Sequence, residues 1–333
     1  MYESLGRIKL KPGEEVEMGV VTGPDPEWAE RIEALLSHKG EIWNWQNRAV
    51  LREDTGIDAF FYILHRHGVP FANILTAESN GVGILGHVFT RPEDRRKGGA
   101  SSLMARQMAH FRERGGQALF LGTGYDSPAY HIYRSNGFEG IEAESGLMST
   151  HVASRTEFEE AYFADGPTAV EALGWTHWPA SMALFLSDLP GVIRCAPIEV
   201  FGRESVEGAL LRPIQREQDR RERSARPQFV ALRNQESASV VGLAAVGPDP
   251  LWPDTHLLDV YCHPKFWERA AEMVRAILPA EGDRCLAYSD SDCPAKGKAL
   301  EEAGFGSAFT HRNWVGGHTD GDARLDVRVW ERV

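Results

Sequence analysis

"TRPEDRRKGGASSLM", Thr90 to Met104, sets three cations in a row ahead of residues with almost no side chain. Arg95, Arg96 and Lys97 run directly into Gly98, Gly99, Ala100, Ser101 and Ser102. The chain around them is acidic, with 36 Lys and Arg against 48 Asp and Glu. A surface loop needs no such pattern; a loop that wraps an anion does. Small residues let a ligand approach the main chain and leave amide N–H groups free to point inward. A helix that starts there adds its unsatisfied first N–H groups and the positive end of its dipole. Together these make a pocket for a pyrophosphate. The loop carries neither G-x-x-x-x-G-K-[ST] nor G-x-G-x-x-G, which argues against an ATP-type and a nicotinamide-type phosphate loop.

The flanking segments set this loop in a mixed sheet. Upstream, "AFFYILHRHG", "PFANILTAES" and "VGILGHVFT" read as strands parted by the turn signals "HGVP" and "SNG". Before them, "EVEMGVV" alternates with period two, and Glu27 to His38 carries Trp28, Ile32, Leu35 and Leu36 at helical spacing behind Pro26. A loop holding Trp43 and Trp45 is expected next. Downstream, "SSLMARQMAHFRERG" reads as a helix with Leu103, Met104, Met108 and Phe111 on one face and Gly115 ending it. A strand, "QALFLGTG", and a short helix around "SPAYHIYRSNGF" complete the unit. Antiparallel strands followed by strand–loop–helix–strand give an α/β design with a mixed α+β sheet, not a repeating βαβ wind.

The loop resembles the signature of the GCN5-related N-acetyltransferases, the GNAT superfamily, roughly V-x-P-x-x-[RQ]-x-x-G-x-[GA]. Thr90, Pro92, Arg95, Gly98 and Ala100 fall on that pattern, with Thr90 in place of the usual aliphatic residue. A second family element, N-x-x-A-x-x-[LI]-Y-x-x-x-G-F, is matched by Asp126, Ala129, Ile132, Tyr133, Gly137 and Phe138, with Asp126 in place of Asn. The resemblance covers about residues 16–145. It implies a site for acetyl-CoA or another acyl-CoA. The pyrophosphate would lie on the main chain from Arg95 to Ser102, and the pantetheine arm would run along the splayed fourth strand at Val88, Phe89 and Thr90. Asp126 and Ala129 would meet the cofactor, and Tyr133 would protonate the departing thiolate. A phenol of pKa about 10 is a sensible proton source for that group. Direct attack of an amine on the thioester requires no acyl-enzyme and no metal.

The acceptor side is less marked. His87, on the fourth strand, is a candidate base, with a packed histidine as the plain alternative. Glu41, Trp43 and Trp45 stand where relatives contact acceptors, although the two tryptophans would equally cap the core. Tyr125 and Asp126, at the end of the fifth strand, are further candidates.

The second half repeats this order loosely. "AVEALGWTHW" echoes "RIEALLSHKGEIW", "QFVALRN" and "SVVGLAAV" pair as a hairpin, and "HLLDVYCHP" leads into "FWERAAEMVRAIL". "RCLAYSD", "KGKALEEAGF" and "ARLDVRVWE" read as strand, helix and last strand. Two tandem GNAT folds are therefore expected, at 1–150 and 151–333, as in tandem acetyltransferases of the mycothiol synthase type. Aligning His263-Pro264 with Arg91-Pro92 puts Trp267 at the place of Arg95, Ala270 at Gly98, Glu272 at Ala100 and Leu300 at Tyr133. A bulky ring and added negative charge suit no pyrophosphate, so the second unit is expected to be degenerate, buttressing the first and walling an acceptor cleft. The charge run "RPIQREQDRRERSAR" is expected to be a solvated connector.

Totals bound the function. A chain of 333 residues, 42% hydrophobic and 25% charged, suits two globular domains of about 150 residues each. The net charge of −12 argues against general nucleic-acid binding and mildly favours a cationic acceptor. The N-terminus lacks a signal-type apolar run, and "SMALFLSDLPGVI" is too short and too interrupted to span a membrane. The four cysteines form no C-x-x-C pair, so reduced thiols in a cytoplasmic protein are expected. The combined reading is an acetyl-CoA-dependent N-acetyltransferase for a small amine, monomeric or homodimeric. The alternatives are a non-catalytic acyl-CoA sensor, or acyl transfer or decarboxylation in natural-product assembly.

Overall fold

The computed structural model describes residues 1–11, 13–317 and 323–332. The chain divides between Phe158 and Glu159 into two units. In the first, strands β1 (Tyr2–Lys9) and β2 (Glu15–Thr22) precede helices α1 (Pro26–Leu36) and α2 (Glu41–Arg52). Strands β3 (Asp58–Arg66), β4 (Val69–Ser79) and β5 (Val82–Thr90) follow, then α3 (Gly99–Glu113), β6 (Ala118–Gly122), α4 (Pro128–Ser135), β7 (Glu139–Gly140) and β8 (Leu147–His151). Helix α5 (Arg155–Tyr162) runs through the point of division.

Local chemistry explains the boundaries. Asp25 accepts hydrogen bonds from the N–H groups of Glu27 (3.1 Å) and Trp28 (3.2 Å), and Pro26 fills the first helical position of α1, where no N–H is needed. Helix α3 buries Leu103, Met104, Met108 and Phe111 against the sheet, as its spacing requires. Each such side chain is worth roughly 1.5–3 kcal/mol when removed from water, which outweighs the weak start that two glycines give the helix.

The eight strands are ordered β1-β2-β3-β4-β5-β6-β8-β7. Only β5 and β6 run parallel; the other neighbours are antiparallel. This is the mixed sheet that the sequence implies. Two features were not legible. β1 has no alternating apolar pattern, because it is a mostly exposed edge strand. The expected loop around Trp43 and Trp45 is instead α2, whose buried face includes the polar Gln46 and Asn47 beside Ala49, Val50 and Leu51. One misleading spelling also resolves: Gly81, Gly83 and Gly86 form a G-x-G-x-x-G, but it runs from a turn into β5 and opens no helix.

The second unit comprises β9 (Thr168–Ala172), α6 (His177–Leu186), β10 (Ile193–Cys195), β11 (Val200–Phe201), α7 (Leu211–Glu222), β12 (Phe229–Asn234), β13 (Val240–Pro248) and β14 (Thr255–Cys262). It ends with α8 (Ala270–Ile277), β15 (Arg284–Asp290), α9 (Pro294–Glu302), β16 (Gly306–Gly316) and β17 (Arg324–Arg332). Its main sheet is ordered β16-β17-β15-β14-β13-β12-β9, again with one parallel pair, β14 with β15. Apart from β1, the two sheets share one order and one parallel pair, the pattern of two tandem folds of the same class.

Two expectations fail here. The echo between Ala169–Trp178 and Arg31–Trp43 is not structural: the first stretch is β9 leading into α6, the second α1 leading into α2. The charge run Arg212–Arg226 is mostly helix, not a bare connector. α7 buries Leu211, Pro213, Ile214 and Glu217, and Glu217 accepts from the N–H groups of Gln228 (2.8 Å) and Phe229 (3.2 Å).

Candidate active site

The site begins with one extra residue. β4 and β5 pair in register from Ser79–Val82 to Leu75–Gly86, then resume one step out at Asn73–Phe89. His87 and Val88 therefore face Ile74 alone, a β-bulge, and His87 takes a left-handed φ of 51°. Bulges turn a strand and end its pairing. Here the parallel ladder with β6 stops at Ile84–Phe120, and β5 continues to Thr90 without that partner. A strand edge is left open from about residue 85 onward.

That edge forms one wall of a cleft of about 540 Å³, lined by Val88, Phe89 and Thr90, by the loop residues Asp94, Arg95, Arg96, Gly98, Gly99, Ala100 and Ser101, and by Ser127, Pro128, Ala129 and Ile132. The loop turns through a short 3-10 segment, Pro92–Asp94, and then through two left-handed residues, Arg96 (φ 62°) and Gly98 (φ 84°). The first backbone bond of α3 runs from Ser102 N–H to Gly98 O, 3.1 Å, so the N–H groups of Gly99, Ala100 and Ser101 have no helical acceptor. They stand at the positive end of a 15-residue helix, beside the cleft.

The two glycines serve different ends. A Cβ on Gly98 would meet nothing within 4 Å, so its requirement is the positive φ and an open approach. A Cβ on Gly99 would lie 2.9 Å from Leu64 Cδ1 and 3.3 Å from Leu10 Cδ2, so its requirement is close packing of the helix on the sheet.

The three cations also differ. Arg95 donates through Nε to Thr90 O (3.1 Å) and braces the loop on the end of β5. Arg96 lines the cleft. Lys97 does not line it; Nζ lies 2.7 Å from Asp94 Oδ1. Arg66 grips the same carboxylate at 2.7 and 3.0 Å, and these two cations hold Asp94 down at about 2. Lys97 thereby helps cancel the one carboxylate on the cleft wall, leaving Arg95 and Arg96 to set its sign. Ser102, one turn into α3, is outside the lining too.

A second helix start faces the same space. Ser127 caps α4, accepting from Tyr130 N–H at 3.2 Å, and Pro128 takes the first helical position. Neither was expected at the site, although Ser-Pro ahead of a helix is a legible start signal. Tyr133, 7% exposed, follows the lining residue Ile132 and packs on Phe138 with ring centroids 6.0 Å apart. Asp126 turns away to His131 (3.0 Å) at the surface, and Tyr125 stacks edge-on against Tyr130 over a neighbouring depression.

On the acceptor side, the bulge drives His87 under α2. Its ring meets Trp43 edge-on at 5.2 Å, its Nδ1 lies 3.3 Å from Asn47 Nδ2, and its carbonyl accepts from Asn73 Nδ2 at 3.0 Å. Burial, together with the nearby Lys39 and His38, pushes its pKa down to about 3. A general base works best with a pKa near the operating pH, so a histidine this weakly basic is poorly suited to that task. Glu41 is exposed at the start of α2, and Trp45 is half-buried on the same helix.

Residues 72–141 match a family model described as acetyltransferase (GNAT) domain. That stretch contains every residue lining the cleft. The chain carries a GNAT acetyltransferase domain. No curated protein matches it. Solved structures with similarity include a GNAT-family acetyltransferase from Bacillus anthracis (14% identity, 50% of this chain and 94% of that one, TM-score 0.36). Others are an N-acetyltransferase from Staphylococcus aureus Mu50 (16%, 50% and 98%, 0.37) and the PaiA N-acetyltransferase from Thermoplasma acidophilum in complex with coenzyme A (13%, 40% and 98%, 0.31).

The GNAT family binds acyl-CoA, and the cleft of this GNAT domain is chemically suited to such a ligand. Backbone at Arg96 and Gly98 is left-handed, the space beside Gly98 is open, the first N–H groups of α3 have no helical acceptor, and Arg95 and Arg96 line the same cleft. Past Ile84 the edge of β5 has no strand partner on the β6 side. Among the described residues no cluster of His, Cys, Asp and Glu is arranged to hold a metal, and no helix is long and apolar enough to cross a membrane.

Proposed function

We propose that the GNAT domain transfers an acetyl group from acetyl-CoA to the amine of a small, cationic acceptor. The observation that carries this reading is the convergence, on one cleft, of the open β5 edge, the left-handed loop and the starts of α3 and α4. Bound acyl-CoA would supply an activated thioester carbonyl. The main chain from Arg96 to Ser101 would hold its pyrophosphate, with Arg95 and Arg96 adding charge. Val88 to Thr90 would align its arm by strand-like hydrogen bonds, which delivers the thioester end toward the bulge.

Tyr133 Oη would give its proton to the sulfur as the C–N bond forms and the C–S bond breaks. The amine's own proton would pass to water, since His87, with its pKa pushed down to about 3, is too weak a base and its Nδ1 is engaged with Asn47. His87, Trp43 and Asn73 would instead keep the bulge in shape. The chain's acidity supports a cationic acceptor.

Titration of the full chain with acetyl-CoA, followed by an amine screen, tests this. Saturable binding and thiol release with an amine present support the reading. Binding of acetyl-CoA with no release for any amine would sink the amine acceptor, and absence of binding would sink the site.

A further inference from the structure

The second unit has the same opening in its sheet and fills it with its own chain. The parallel ladder of β14 and β15 runs from Thr255–Arg284 to Leu258–Ala287 and stops there. Beyond that point β14 continues to Cys262 and β15 to Asp290. Across these diverging ends lies the segment 191–198, made of β10 and the 3-10 turn Ala196–Ile198.

Both strands grip it through side chains that the first unit lacks. Asp290, at the end of β15, accepts through Oδ2 from the N–H groups of Val192 (3.0 Å) and Ile193 (2.9 Å). Asp259, the first residue of β14 past the ladder, accepts through Oδ2 from Ala196 N–H at 2.8 Å. Lys296, on α9, lies 2.6 Å from Asp259 Oδ1 and also donates to Ile193 O. Asp259 and Lys296 are fully buried, at 1% and 0% exposure, a pair that persists only with every polar atom satisfied. Asp292 accepts from Gly191 N–H at 2.7 Å just ahead of α9, so the start of that helix is covered as well.

The segment is anchored on its other side. Arg194, fully buried, donates to the carbonyls of Phe185 (2.7 Å), Leu189 (2.7 Å) and Gly191 (3.2 Å), and its guanidinium sits 5.0 Å from the centre of the Tyr261 ring. A cation at the C-terminal end of α6 is favoured by the helix dipole. The side chains of Ile193, Cys195 and Ala196 are buried.

We propose that residues 191–198 are a built-in occupant of the second sheet's opening, standing where the acyl-CoA arm lies in the first unit, so that the chain takes one acyl-CoA. This rests on the placement of the arm along β5 argued above. The second unit is then held by its own backbone in the filled form that the first reaches only with cofactor.

Hydrogen–deuterium exchange of the full chain, with and without acetyl-CoA, tests this alongside binding stoichiometry. The peptide covering 190–198 should exchange about a hundredfold or more slower than an unstructured reference, equally with and without acetyl-CoA. The peptide covering 85–101 should slow only when acetyl-CoA is added, at one equivalent per chain. Rapid exchange of 190–198 without acetyl-CoA, slowing of that peptide on its addition, or two equivalents bound would each overturn the proposal. If 190–198 is protected but 85–101 never responds, the assignment of the first site fails while the internal occupant stands. Asp259→Asn should speed exchange of 192–196 by about tenfold, and an unchanged rate would show that Asp259 does not hold the segment.

Discussion

The loop after β5 and the loop after β14 begin alike and end differently. Each opens on proline, Pro92 and Pro264, in a 3-10 turn. In the first unit that turn ends at Asp94, and Arg96 and Gly98 take left-handed backbone before α3 begins at Gly99. In the second it continues through Arg269 straight into α8, and no described residue between 263 and 270 has a positive φ. A helix that runs on spends its N–H groups on its own carbonyls; a helix that is interrupted leaves them for a ligand. Two residues with left-handed backbone separate an interrupted loop, the cradle proposed above, from a connecting turn.

Gly98→Glu should be the sharpest blow to this contrast. It forces a side chain into a positive φ and points a carboxylate at the phosphate space, so acetyl-CoA affinity should fall on the order of 100-fold or more. Calorimetry checks it, with circular dichroism to show that the fold survives. Retained affinity would mean the pyrophosphate lies elsewhere. Tyr133→Phe should lower kcat by roughly 100-fold while the acetyl-CoA Kd changes little, and an unchanged kcat would remove the phenol as the acid.

Smaller changes sharpen the roles of the cations. Arg96→Ala should weaken acetyl-CoA by roughly threefold, whereas Lys97→Ala should act mainly on stability, by up to about 1 kcal/mol, through its pair with Asp94. Equal effects on affinity would erase the distinction between lining and bracing. Trp267→Ala, in the second loop, should leave affinity and stoichiometry alone; a lost equivalent would give the second unit a site after all.

His87 gives a pH signature. Its folded pKa of about 3 lies below the ordinary value near 6.5, so the unfolded chain binds the extra proton between the two. Its contribution to stability is complete above about 6.5 and is lost as pH falls toward 3. Chemical denaturation between pH 4 and 8 should show that slope, and His87→Gln should flatten it. The pH profile of kcat/KM should show no titration assignable to this ring between 5 and 8.

Much of the first unit was legible because its signals are local. Leu103, Met104, Met108 and Phe111 declare α3 by spacing alone, and the small residues from Gly98 to Ser102 declare by composition where the loop gives way to that helix. What stayed hidden depends on partners distant in sequence. His87 faces α2 because of a one-residue slip between β4 and β5, and no period in β5 itself records that slip. α2 was obscured because its buried face includes Gln46 and Asn47, which read as surface. The occupant of the second sheet comes from 191–198 and is held by Asp259, Asp290 and Lys296, some 60 to 100 residues away. Ser127 is the avoidable miss, since its Ser-Pro spelling announces a helix start.

The adjacent glycines of the loop also differ in what second change would restore them. The demand at Gly99 is made by the Leu64 and Leu10 methyl groups, so a smaller residue at 64 would make room for Gly99→Ala. The demand at Gly98 is made by its own torsion angle, and trimming a neighbour does nothing for it. A suppressor search should therefore return core revertants for position 99, and for position 98 only a return to glycine or a change to a residue tolerant of left-handed backbone, such as asparagine.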